Sequence, residues 1–160
     1  VDLLKDGSLF LAEEDMDGWD LLVGAVHYIP ADKTSGISPK NIDNEFLRQT
    51  ELMLQHPVKV LAHPFRWYRR SGLPAPVHLY STMAKMLSKA NVAAEINVHT
   101  NNPDPDFIRV CVENDVKLAI GTDSHNLQEV AEFIPHLQLL KIAGVTSDMF
   151  SNVLFSVNCS

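Results

Sequence analysis

The sequence predicts an α/β fold built on parallel strands, and a few features of the chain point there. Four short apolar runs are long enough for strands and too short for helices, segments of helical periodicity separate them, and each run is followed closely by a polar residue of metal-ligand type. The runs are DLLVGAV (20–26), VKVLA (58–62), VAAEIN (92–97) and VKLAI (116–120). They are rich in the Val, Ile, Leu and Ala that strands buried on both faces carry.

Between the runs, residues 42–55 place Phe46, Leu47, Leu52 and Leu54 largely on one side, and residues 77–90 repeat apolar side chains at helical spacing. Residues 104–115 form a third such segment, with Asp104 or Asp106 as the start signal. Beyond the last run, 126–144 reads as a helix bent or interrupted at Pro135 and stopped at Gly144, and 146–156 as another opened by Thr146 or Ser147. Alternating strand and helix implies a parallel sheet with right-handed crossovers. The segment 31–41 is either a flexible rim of an active site or a plain solvated loop.

Composition sets the bounds. With 160 residues, 46% of them hydrophobic and 21% charged, the chain is long enough for one domain with a real core. Its 13 basic and 20 acidic residues leave a net charge of −7, which excludes the basic footprint that long nucleic acid or an anionic membrane requires. An anionic substrate would have to find positive charge locally, in Arg side chains or metal ions. The two cysteines, Cys111 and Cys159, make no disulfide framework or zinc knuckle, and a cytoplasmic location is expected. No run is long enough to span a membrane. A first residue of Val and not Met points to a segment upstream.

The polar residues fall in a pattern. His27 follows the first run, His63 the second, Asn97 and His99 the third, and Asp123 and His125 the fourth. In a β/α barrel these carboxyl ends share one face, and imidazoles and carboxylates around one rim suit zinc, manganese or iron. Singly, each has a plainer reading: a lone His is more often structural, and Asp123 could cap the next helix. Asp123 and His125 can point to the same side if the backbone stays extended. His99 is left open, and His56, His78 and His136 read as surface or partly buried structural residues. Glu95, inside a strand, is expected to face the polar mouth or to orient a ligand from behind. Arg66, Arg69 and Arg70 could grip phosphate and Trp67 or Tyr68 could stack on a ring; the alternative is a surface loop answering the acidic excess.

Together, LLVGAVHYIP, VLAHPFRW, AAEINVHTNN and LAIGTDSHN resemble, in order and spacing, the later motifs of the PHP (polymerase and histidinol phosphatase) metal-dependent phosphoesterases. The resemblance implies a distorted, seven-stranded, TIM-like β/α barrel with up to three divalent metals at its mouth and phosphate esters cleaved by metal-activated water. It implies that His27 and His63 bind one metal, Asp123 a neighbouring one and His125 the third, with Asp123 and His125 as catalytic residues, Arg66, Arg69 and Arg70 toward the substrate, and Glu95 and Asn97 behind the ligands. The family opens with a His-x-His motif and a bridging Glu, whereas this chain has no His before His27, and Glu13, Glu14 and Asp15 lie too close to the first run. Length agrees, because four strands are half a barrel and a complete one takes about 250 residues. Residues 1–160 are therefore expected to be the carboxyl-terminal portion of one barrel domain, completed by a missing amino-terminal segment or a second chain. The expected activity is hydrolysis of a small phosphorylated substrate, histidinol-phosphatase-like. The alternatives are a nuclease or nucleotide phosphodiesterase, with nucleic acid as partner, or a non-catalytic metal-binding remnant.

Overall fold

Four parallel strands form one sheet in the order of the chain: β1 (Val23–Gly24), β2 (Val60–Leu61), β3 (Ala93–Asn97) and β4 (Leu118–Gly121). The computed structural model describes residues 1–4, 6–29, 39–99 and 102–157. β1 pairs with β2 through Val23 and Gly24 opposite Val60 and Leu61, and β3 pairs with β4 from Ala94 opposite Leu118 to Asn97 opposite Gly121. Among the described residues the sheet is not closed, and β1 and β4 are its edges. Each edge is partly met: Val1 exchanges backbone hydrogen bonds with Val23 and Ala25 beside β1, and Leu154 bridges Leu118 in parallel beside β4.

The helices are α1 (Pro39–Met53), α2 (Arg66–Arg70), α3 (Tyr80–Ala90), α4 (Pro105–Glu113), α5 (Ile134–Ile142) and α6 (Phe150–Val153). α3 and α4 press Met83, Leu87 and Cys111, all fully buried, toward the sheet's Leu61, Ile96 and Leu118. Each large apolar side chain so buried stabilises the fold by about 1.5–3 kcal/mol. α4 starts as its sequence predicts: Asp104 accepts a hydrogen bond from the Asp106 amide at 2.9 Å and Pro105 occupies the first turn.

Several expectations are corrected. The first and second strands contract to the residues that actually pair. Pro135 does not bend a long helix but stands in the first turn of α5, where its fixed φ is favourable and its missing N–H costs nothing. Gly144 does terminate α5: at φ +85° it allows its own N–H to reach Lys141 O and the Val145 N–H to reach Leu140 O, a Schellman closure. Residues 66–70 form a helix where an irregular loop was the alternative. Of segment 31–41, residues 31–38 lie outside the described residues and 39–41 open α1. Among the described residues no helix is long and apolar enough to cross a membrane.

Candidate metal centre

Carboxyl ends of strands expose side chains that the flat part of the sheet would bury, and here they bring two imidazoles together, their planes tilted by 48°. His27 Nε2 and His63 Nε2 are 3.2 Å apart, with ring centroids 4.9 Å apart. Behind them, His27 Nδ1 meets Asp2 Oδ1 at 2.7 Å. A carboxylate only accepts, so Nδ1 carries a proton toward Asp2, and whenever the ring is neutral its lone pair is on Nε2. Burial, with Arg66 and then His27 adding positive charge nearby, pushes the His63 imidazole down to about 4, so it is neutral at ordinary pH. Two nitrogens on one tetrahedral zinc stand about 3.3 Å apart at ordinary Zn–N lengths. The donor set and spacing fit a shared divalent cation.

His63 is held from its main chain. Its φ is +31°, Phe65 two residues on has φ +68°, and the His63 N–H donates to Glu95 Oε2 at 2.7 Å. Unusual backbone of this kind persists only where surrounding structure enforces it. Glu95, in β3, also takes a long 3.4 Å contact from Asn97 Nδ2, while Asn97, 2% exposed, accepts the His99 N–H through Oδ1. Burial raises the Glu95 carboxyl above its usual range, against the His63 amide, which lowers it. Glu95 thus meets the His63 main chain, and Asn97 meets Glu95 and the His99 amide.

The side chains of Asp123 and His125 meet different partners. Asp123 has φ +49°, so the chain turns where an extended backbone was needed to align them. Asp123 Oδ2 lies 3.4 Å from Arg66 Nη1, whereas His125 stacks on His99 with centroids 4.4 Å apart. Capping by Asp123 is not seen either, because turns and bends follow it and α5 begins at Ile134. The four expected ligands therefore divide: His27 and His63 face each other, Asp123 stands near His63 beside Arg66, and His125 joins His99 and Glu129.

A cavity of about 340 Å³ opens beside His63, lined among others by Arg66, Arg69, Tyr80, Glu95 and Asn97. His27, Asp123 and His125 do not line it. Arg66 Nε is buried and finds no acceptor among the described residues, a state that a bound anion would relieve. Arg69 is exposed at the rim, and Arg70 is exposed and outside the lining. Tyr68 is buried with its hydroxyl donating to Asp43 at 2.7 Å, and Trp67 packs on the core, so neither ring lines the cavity for stacking. His136 is fully buried, with Nε2 on the Gly121 carbonyl at 3.0 Å; it is structural but not at the surface.

Sequence reasoning passed over Glu129. Its four-residue spacing from His125 was a usable signal, but only folding of the intervening turn brings the carboxylate back. No family model and no curated protein matches this chain.

Proposed function

We propose that the chain serves the hydrolysis of phosphate esters of small molecules, with a divalent cation held by His27 and His63 and the sheet forming an arc of a distorted seven-stranded β/α barrel. The observation that carries this reading is the pair of Nε2 atoms 3.2 Å apart, backed by Asp2. A zinc, manganese or iron ion bound there supplies Lewis acidity to a phosphoryl oxygen and lowers the pKa of a coordinated water.

The protein's own groups supply the rest. The half-buried Arg66 guanidinium, its Nε buried and unpaired among the described residues, offers donors to a phosphoryl oxygen. Asp123 steadies that guanidinium from 3.4 Å and can accept a proton on the same side as His63. Glu95 fixes the His63 backbone and so its ring. The cavity suits a small ligand. A sheet whose strands follow chain order, with these side chains past their carboxyl ends, is what an arc of a barrel would have.

The test is p-nitrophenyl phosphate hydrolysis by the chain with added manganese or zinc, beside His63→Ala and Asp123→Asn. Loss of about 100-fold or more in either variant, with unchanged circular dichroism, is expected. Equal turnover in all three proteins, or no metal-dependent turnover in any, rejects the reading for this chain.

A further inference from the structure

Away from the His27–His63 pair, the end of β3 meets the loop that follows β4. There His99, His125 and Glu129 each place a ligand atom within 4.8 Å of the others. We propose that these three side chains hold a divalent cation of borderline softness, zinc foremost, in a site of its own. The inference stands whether or not His27 and His63 bind a metal.

Two imidazoles and one carboxylate are a donor set that zinc accepts with a fourth position left open. Their orientation is already constrained. His125 Nδ1 donates to the Asp123 carbonyl at 2.6 Å, which leaves the lone pair of the neutral ring on Nε2. Glu129 Oε2 accepts the His125 N–H and Oε1 accepts Asn126 Nδ2, each at 2.7 Å. His99 Nδ1 lies 3.3 Å from Glu129 Oε2, and its amide is anchored on Asn97 Oδ1. The carboxylate is therefore held by the His125 amide and the Asn126 side chain of its own turn, with His99 Nδ1 beside it.

One adjustment is required. The two rings are stacked at an interplanar angle of 10°, and parallel planes cannot both contain one ion. Binding must turn the exposed His125 ring and break the stack, and the ion would then tie the loop carrying Asp123 to the end of β3.

The experiment is calorimetric titration of the full chain with zinc chloride, for wild type, His99→Ala, Glu129→Gln and His63→Ala, with side-chain imidazole ¹⁵N resonances followed by NMR. The expected result is a zinc equivalent weakened about 100-fold or more in His99→Ala and Glu129→Gln, retained in His63→Ala, with the His99 and His125 ring nitrogens shifting on saturation. Glu129→Gln keeps the size of the side chain and one of its two acceptor oxygens, and unchanged circular dichroism separates its loss of zinc from unfolding. Zinc affinity and stoichiometry unchanged in both His99→Ala and Glu129→Gln would overturn the proposal. So would loss confined to His63→Ala, which would leave a hydrogen-bonded cluster only.

Discussion

At His63 three constraints meet: a left-handed backbone, an amide committed to Glu95 and a ring directed at His27. The neutral imidazole is favoured in the fold, so its pKa falls to about 4 while the unfolded chain keeps a value near 6.5. As pH drops, the unfolded state takes up the proton first. The stability that neutral His63 provides is therefore complete above about pH 6.5 and is lost as pH falls toward 4. In chelator, the urea midpoint of wild type relative to His63→Ala should decline between pH 7.5 and pH 4.5 (roughly the span of the two pKa values); a constant difference would contradict the burial of the ring. The positions of His27 and His63 were legible because a strand end announces itself in an apolar run followed by a polar residue. The direction of Asp123 was not, because it hangs on one backbone angle that a single sequence does not reveal.

Among the elements, β3 and β4 show how a side chain needs its neighbour's absence. A methyl group on Gly121 would stand 1.9 Å from Glu95 Oε1 and 2.8 Å from its Cδ. Glu95 could make room only by leaving the His63 amide. Gly121→Ala should therefore destabilise the chain by about 1–3 kcal/mol, and the loss should shrink markedly in a Glu95→Ala background, a coupling that a double-mutant cycle measures. Additive effects would mean that Glu95 does not occupy that space. Element starts and stops were recoverable where local chemistry rules, as with Asp104 and Gly144, and were missed where a residue permits two outcomes: Pro135 can break a helix or begin one, and only the hydrogen bonds of Asn126 and Glu129, which fold the preceding residues into a turn, decide it.

Over the whole molecule, the parallel sheet was readable from the alternation of strand and helix, while strand order and strand lengths depended on which residues find partners across the sheet. The result is an uneven distribution of stability. β3 is paired on both sides and lies under the fully buried Met83, Leu87 and Cys111 of α3 and α4. Residues 124–128 are exposed, and their hydrogen bonds run largely within their own turn. Amide exchange requires local opening, and opening β3 exposes core whereas opening this turn exposes almost none. Hydrogen-exchange mass spectrometry should find peptides over residues 93–97 protected at least about 100-fold more than peptides over 124–131. Slow exchange in both would show that the loop after β4 is held by more than its local hydrogen bonds. Addition of zinc separates the causes, since an ion bridging His99 to His125 and Glu129 would slow exchange in the loop and leave the already protected strand unchanged.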